Sequence, residues 1–531
     1  MTKLLCSLLI GFTIIANNYL LINSYKDFMS SNDEVLSKIR IKDKWFVDDK
    51  NRIILFHGIN AVQKEFPWVP DQKEVDMTND TQLFNLKKWG FNVVRLGVMW
   101  AGLVPEKNRV NLTYLDEMSI IIDKLESYGI YVIIDLHQDM MSSKFASYDG
   151  VPSWVIDELP KSKFEFPWPL KNQTLSLSVF AAYITEPCGH AFQCLYDNVN
   201  NFADYFLDYW TIIAKKFANK SSILGYELLN EPWAGDVYAN PLLLLPGIAG
   251  GRNLLKLYDR SYETIRKYDR NTLIFYEPVT WGVMLNRNYF GSGFNRPPGN
   301  DPSSTVFSWH YYCWLLNFKI NPLVNGTLPK FDKVICDVLQ LKLSFEAVKL
   351  DMVELGGGPS FLTEFGVCAF GKNNEKNSPV NVDECKAVLD QADKFFQSWA
   401  YWDSRFYTLD TFQEIPELID IFSRVYPKAT NGIPISYYFN STSKDFEFIY
   451  HVNITSYEQG LIPTEIHIPP NVYPLGFYCK VSPFLEWTYE KHNYRLLLKL
   501  TEGDLKKFFR FKDFSYDEII KVRIMSIIDL V

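Results

Sequence analysis

Ile223–Glu231 reads ILGYELLNE, an apolar run that ends on an amide and a carboxylate. It does not alternate as a half-exposed strand would. A short run apolar on both faces fits a strand covered on both sides, as in a parallel sheet. The same design recurs along the chain, at Arg52–Gly58 (RIILFHG), Asn92–Val98 (NVVRLGV) and Ile130–His137 (IYVIIDLH) before it. After it come Thr272–Glu277 (TLIFYE), Thr305–Tyr312 (TVFSWHYY), Pro359–Phe365 (PSFLTEF) and Trp399–Asp403 (WAYWD). Helical patterns lie between several of these runs, at Thr81–Trp89, Tyr114–Tyr128, Leu195–Phe217, Leu254–Tyr268 and Lys386–Phe396. Alternating β and α units point to a barrel or a doubly wound sheet. Nearly every run ends on a chemically able residue: Asn60, Arg95, His137, Glu231, Glu277, His310, Glu364 and Trp402. In a (β/α)8 barrel the C-terminal ends of all eight strands converge on one site, whereas a doubly wound sheet gathers such groups at a switch point. The expected fold is therefore α/β, a (β/α)8 TIM barrel.

The texture changes after about Val425. Ile435–Tyr438, Phe446–Val452, Thr464–Ile468, Phe477–Val481 and Tyr494–Leu500 alternate with turns and have no long helix between them. They read as a smaller C-terminal β-sandwich. At the other end, Lys3 precedes an apolar run from Leu4 to Ala16, the pattern of a secretory signal peptide rather than a spanning helix. The expected division is signal peptide 1–24, barrel 25–424 and sandwich 425–531.

Seven N-x-S/T sequons agree with a secretory route: Asn79, Asn111, Asn172, Asn219, Asn325, Asn440 and Asn453. Cys188–Cys194, Cys313–Cys336 and Cys368–Cys385 are local candidates for disulfides, with Cys479 left over; sequence alone does not fix the connectivity. The 531 residues carry a formal net charge of −8 with no basic stripe, which disfavours nucleic acid as a partner. No spaced metal-ligand motif accompanies His137 and Asp139, so neither a metal nor a cofactor is expected.

Two strand-end glutamates across a barrel mouth have the chemistry of a glycosidase. One carboxylic acid protonates the departing oxygen and another carboxylate meets the anomeric carbon; ~5–5.5 Å between them suits a retaining enzyme. Glu231 stands in Leu-Leu-Asn-Glu-Pro (228–232) and Glu364 in Phe-Leu-Thr-Glu-Phe-Gly (361–366). In these segments the sequence resembles family 5 of the glycoside hydrolases, over roughly residues 45–410. The likeness extends to Arg95 in VVRLGVMW, His137 in IIDLHQD, His310 and Tyr312 in SWHYY, and Trp402 or Trp399 in SWAYW. It resembles the endoglycoceramidases more closely still, through HGINAVQKEFPWVP, FNVVRLGVMWAGLVPE, LHQDMMS and GYELLNEPWAGD.

This resemblance implies a retaining endo-β-glycosidase that separates oligosaccharide from ceramide, with a glycosphingolipid as substrate. It implies Glu231 as acid/base and Glu364 as nucleophile. Arg95 and Tyr312 are expected to hold Glu364 ionised, Asn230 to bind the sugar 2-hydroxyl, and His137 and His310 to orient sugar and carboxylates. Lys64 and Asp139 match sugar-binding positions, and Trp402 the floor beneath the sugar. Glu277 is read as supporting and His57 as structural. The alternatives are another family 5 β-glycosidase, acting on a β-glucan or a glucosyl-lipid, and a catalytically silent carbohydrate-binding barrel. Four consecutive leucines, Leu242–Leu245, follow the acid/base strand and read either as a lip touching lipid or membrane or as a packed loop; Phe164, Phe166 and Trp168 carry the same ambiguity. Location is expected to be extracellular or in the secretory–lysosomal lumen. The oligomeric state is not legible.

Overall fold

The computed structural model describes residues 36–72, 75–145, 150–171, 179–279, 291–313, 334–366, 382–408, 411–511 and 519–526. The expected signal peptide, Asn172, Asn325 and Cys368 lie outside these residues. Among the described residues no helix is long and apolar enough to cross a membrane.

Eight parallel strands close into a barrel: His57–Ala61, Val93–Gly97, Tyr131–Asp135, Ile223–Glu227, Leu273–Tyr276, Thr305–Tyr311, Ser360–Gly366 and Ser398–Trp402. Closure is made by the eighth strand on the first, with Tyr401 opposite Ile59. Helices cover the outside, among them Asp80–Trp89, Leu112–Ser127, Phe202–Phe217, Leu255–Arg266 and Asp383–Phe395. Asn79 caps the first of these by accepting the backbone N–H groups of Thr81 and Gln82, and Gly90 ends it at φ 105° in the left-handed region that glycine reaches without strain.

The period of two along each strand layers the barrel interior. Val93, Ile133, Phe275, Val306, Phe361 and Ala400 form one apolar cluster near the N-terminal ends of the strands. Gly225 belongs to this packing, since a Cβ there would come within 2.2 Å of the Phe275 ring. Two residues further along four of these strands stand Arg95, Asp135, Glu227 and Glu277, which begin the polar layer. The floor of the barrel is sealed from below by Phe46 and Phe56, whose rings lie 5.4 Å apart, with Phe46 6.2 Å from Phe361.

The second domain is a sandwich of two antiparallel sheets. One has four strands, in the order Gly432–Phe439, Phe446–Val452, Ile519–Ser526, Phe477–Val481. The other has seven, in the order Arg40–Lys42, Trp45–Val47, Ile53–Ile54, Tyr426–Thr430, Thr464–His467, Arg495–Leu500, Leu485–Glu490. Tyr437, Phe439, Phe448 and Val522 from the first sheet meet Tyr426, Ile466, Leu496 and Leu498 from the second in one core.

Two expectations change here. The run RIILFHG is not one barrel strand: Ile53–Ile54 pairs with the sandwich strand Tyr426–Thr430, and the barrel strand begins only at His57. Both halves of the run are buried, so the apolar pattern carries no mark of the switch. The sandwich therefore also draws three strands from residues 40–54. Among the cysteines, Cys313 and Cys336 are bonded, and Cys385 is disulfide-bonded as well. Cys188 and Cys194 are free and sit on one helix, Glu186–Tyr196. Six residues of helix rise ~9 Å, beyond the ~4.4–6.8 Å that a disulfide spans between Cα atoms, so the expected Cys188–Cys194 bridge is corrected. Cys479 is free, as expected.

Candidate active site

Arg95 stands at the centre of the barrel mouth, wholly buried. A buried guanidinium needs anions and acceptors around it, and five groups supply them. Its Nε donates to Glu227. Nη1 donates to Glu364 Oε1 at 2.7 Å and to Asn60 Oδ1 at 3.0 Å. Nη2 donates to Asn230 Oδ1 at 2.8 Å and lies 3.1 Å from Asp135 Oδ1. Burial alone would favour the neutral form, but Asp135, Glu227, Glu364 and Glu277 together hold Arg95 firmly charged.

The two glutamates singled out by sequence face each other across this centre. Glu364, on the seventh strand, takes Arg95 on Oε1 and the hydroxyl of Tyr312 on Oε2 at 2.9 Å. Glu231 lies in the turn four residues beyond the fourth strand, with φ 41°. Its Oε1 is 3.0 Å from His310 Nδ1. One ligating atom each of Glu231, His310 and Glu364 lies within 4.8 Å of the others. Three such groups can also chelate an ion, but Arg95 already supplies the positive charge beside Glu364. His310 is held well above its usual value: burial opposes its charge, and Glu277 and Glu364 outweigh that.

A second group forms one wall. Lys64 ion-pairs with Asp139, and its ammonium sits 4.5 Å over the Trp402 ring. His137 stacks on the same ring, centroids 5.4 Å apart and 14° from parallel. His137 Nδ1 is 2.7 Å from Asp135 Oδ2. Burial disfavours both charges, yet Lys64 and His137 hold Asp139 well below the usual carboxylate range, and Asp135 raises His137. An aromatic ring beside fixed donors and acceptors is the chemistry of a sugar subsite. Trp402 is the aromatic of this wall. Trp399 is fully buried and stacks on His57, which lies between it and Tyr426 at the foot of the barrel.

Residues 47–407 match the cellulase family, glycosyl hydrolase family 5, and residues 424–508 match the family 5 C-terminal domain. This chain belongs to glycoside hydrolase family 5. It is similar to the endoglycoceramidase of Hydra vulgaris, 32% identical over 89% of this chain and 87% of that one. It is also similar to the endoglycoceramidase of Cyanea nozakii, 32% identical over 79% of this chain and 83% of that one. In fold it resembles endo-glycoceramidase II from Rhodococcus sp. in its ganglioside GM3 complex, with TM-score 0.68, 18% identity, and coverage of 91% of this chain and 100% of that one. The family 5 glycoside hydrolase fold thus extends through both domains.

Every site residue named from sequence lies in one of these two groups of the family 5 hydrolase, with one difference of placement. His137 does not contact Glu231 or Glu364; its partners are Asp135, Asp139 and Trp402. The sequence reading missed Asp135 and Glu227, each two residues past an interior apolar position, where alternation would have marked them. It also missed Gln138, whose side-chain amide donates to the carbonyls of Asn230 at 2.6 Å and Glu231 at 3.0 Å and so shapes their turn. The four leucines after the fourth barrel strand divide: Leu243 is buried at 2% exposure, while Leu242, Leu244 and Leu245 are 60%, 48% and 53% exposed. Ile248 and Ile184 are exposed too, and Trp168 packs 5.0 Å from Tyr238. Phe164 stacks on Trp168, whereas Phe166 turns inward to Phe145.

Proposed function

We propose that this family 5 hydrolase cleaves the bond between oligosaccharide and ceramide in glycosphingolipids by double displacement. The observation that carries the mechanism is the approach of Glu231 and Glu364, with atoms within 4.8 Å, the short separation of a retaining pair. Glu364, fixed by Arg95 and Tyr312, attacks the anomeric carbon. Glu231 gives its proton to the departing ceramide oxygen, then takes one from the water that cleaves the glycosyl ester. Asn230, aimed by Arg95, meets the 2-hydroxyl, and the Lys64–Asp139–Trp402 wall receives the sugar. The substrate class is supported by the endoglycoceramidase relatives, which align over most of both chains. Mass spectrometry of products from mixed glycosphingolipids tests it: intact oligosaccharide plus ceramide is expected. Release of single sugars, or preference for a soluble β-glucan, would overturn it.

The exposed leucines give the lipid a place to lie. Large contiguous apolar patches are uncommon on soluble proteins and mark binding surfaces. Leu242, Leu244, Leu245 and Ile248, exposed in the segment that follows Glu231 and Tyr238, form a lip that meets the ceramide chains or the membrane surface holding them. Burying a leucine is worth ~1.5–3 kcal/mol, so partial burial of two changes affinity about tenfold or more. Leu242→Ser with Leu245→Ser should raise the apparent KM for glycosphingolipid and leave a soluble aryl glycoside and Tm unchanged. Equal losses on both substrates would sink the lip.

We further propose synthesis through the secretory pathway, to the cell exterior or the lysosomal lumen. The leader-like residues 1–24 and the Cys313–Cys336 bond support this, as do five sequons, Asn79, Asn111, Asn219, Asn440 and Asn453, none of them buried. A mass shift on enzymatic removal of N-glycans from the mature protein tests it; an unmodified protein retaining residues 1–24 would refute it.

A further inference from the structure

Glu277 follows the fifth barrel strand and is buried at 3% exposure. It reaches Glu231 by two routes. Directly, its Oε2 accepts the backbone N–H of Glu231 at 3.2 Å. Indirectly, its Oε1 lies 3.3 Å from His310 Nε2, and His310 Nδ1 lies 3.0 Å from Glu231 Oε1. The backbone carbonyl of Glu277 is itself tied down by the hydroxyl of Tyr258 at 3.0 Å. The direct contact falls where it is needed, because Glu231 holds φ 41°, a left-handed conformation that a residue with a Cβ adopts at a cost.

We propose that Glu277 is a positioning residue for the proton donor: it fixes the imidazole of His310 so that Nδ1–H faces Glu231 Oε1, leaving Oε2 of Glu231 to carry the proton delivered to the leaving group. The physical reason is the tautomer. With Glu277 ionised, the imidazolium donates from Nδ1 to Glu231 and holds Nε2–H in an ion pair with Glu277 Oε1, 3.3 Å away. With the proton on Glu277, the carboxyl donates to Nε2, and Nδ1 still carries the hydrogen that points at Glu231. A carboxyl group on the far side therefore enforces one orientation in both states of the pair. Glu277 is faced by His310, by Glu227 at less than 4.8 Å, and by Arg95 Nη2 at 3.5 Å, with Tyr258 on the covering helix; Glu364 and Asp135 stand behind His310 and Arg95. Burial, with Glu227 adding to it against His310 and Arg95, pushes Glu277 up to about 8, and Glu277 in turn raises His310. Each group is raised, so the pair holds at least one proton and Nδ1–H of His310 is kept. It spends none in turnover: the proton that Glu231 gives to the glycosidic oxygen as the C–O bond breaks returns to Glu231 from the attacking water.

Glu277→Gln tests this with near-unchanged shape. The single glutamine carbonyl cannot accept from both His310 Nε2–H and the backbone N–H of Glu231, as the two oxygens of Glu277 do; accepting from Nε2–H, it turns a bare Nδ1 toward Glu231 Oε1, draws the proton there, and sets its NH2 against the Glu231 N–H. On a glycosphingolipid, whose alkoxide must be protonated to leave, kcat/KM should fall about ten- to hundredfold, part of the worth of general acid catalysis. On an activated dinitrophenyl glycoside it should stay within about threefold. The alkaline limb of the lipid profile should move to lower pH by about one unit, because His310 loses the carboxylate that raises it. Equal losses on both substrates, or an unmoved limb, would overturn the inference. Should Glu277→Gln melt early, Glu277→Asp takes its place; it keeps a carboxyl and should restore the limb toward the parent position. Identical profiles for Gln and Asp would also overturn it. The inference rests on Glu231 being the proton donor, so Glu231→Gln is run in parallel. Absence of leaving-group selectivity in Glu231→Gln sinks that reading. Its presence there, with an unselective Glu277→Gln, sinks the inference alone.

Discussion

Arg95 and Arg424 are both withdrawn from water, at 0% and 1% exposure, and both are held by carboxylates. Their surroundings differ. Arg95 engages Nε, Nη1 and Nη2, with Asp135, Glu227, Glu277 and Glu364 all within 3.5 Å. Arg424 is bound through Nη2 alone, to Asp390, Asp393 and the carbonyl of Phe439. It joins the helix Asp383–Phe395 on the barrel to the sandwich strand Gly432–Phe439, and Asp393 takes the hydroxyl of Tyr437 at 2.6 Å. One arginine carries an excess of negative charge that chemistry can use. The other closes a seam between two domains, where near-neutrality is all that is required.

The largest expected effect breaks the first cluster at its working end. Glu364→Gln removes the carboxylate proposed as nucleophile and should lower kcat by at least about a thousandfold, even on activated substrates. Tm should change little, since the amide oxygen still accepts from Arg95 and the amide N–H can donate to the Tyr312 hydroxyl oxygen. Stopped-flow and steady-state rates check this, and appreciable residual glycosylation would contradict the assignment. Arg424→Met should do the reverse. Leaving Asp393 buried without its cation costs about 3–5 kcal/mol, so Tm falls, while kcat per folded molecule stays near the parent value. Adding Asp393→Leu should recover part of that stability, because removing both partners leaves no buried charge unanswered. A double variant less stable than the single one would refute the view of Arg424 as a seam pair.

The smallest effect is a pH dependence in the sandwich. Burial works against the charge of Glu465, yet Lys428, Arg495 and Arg52 outweigh it and bring Glu465 down to about 2. A carboxyl held lower in the folded than in the unfolded chain contributes stability above its unfolded value of ~4.3, and this is lost as pH falls toward about 2. The contribution is on the order of 3 kcal/mol. Tm should therefore drop between pH 4 and 2, and Glu465→Gln should flatten that drop while leaving activity at pH 5 untouched. Parallel acid melting curves for parent and variant would count against this.

The legibility of the sequence follows from where each signal comes from. Seven of the eight barrel strands were legible because burial on both faces leaves unbroken apolar runs, and the site was legible because it collects at their ends. Glu231 and Glu364 stood out through their neighbours, Asn230 and the Thr-Glu-Phe-Gly segment. Asp135 and Glu227 did not, since a charge inside an apolar run is visible only once the inward face is known. The change of sheet between Ile54 and His57 left no trace, as both sheets bury their strands. The strand Ile519–Ser526, between two others in the four-stranded sheet, was overlooked although its burial alternates cleanly from Ile520 to Ile524. Leu243 could not be told from its neighbours, because one turn of chain decides which leucine points inward.

The pairing of Ile53–Ile54 with Tyr426–Thr430 bears on the order of synthesis. Residues 45–56 seal the foot of the barrel, yet their sheet partner emerges from the ribosome some 370 residues later. During translation the early segment must wait with an open strand edge, and although Phe46 and Phe56 can reach Tyr131 and Phe361 once the barrel is made, their strand is pinned only when the second domain arrives. A nascent chain stopped before residue 426 would carry all eight barrel strands and still lack the partner that holds its plug in place.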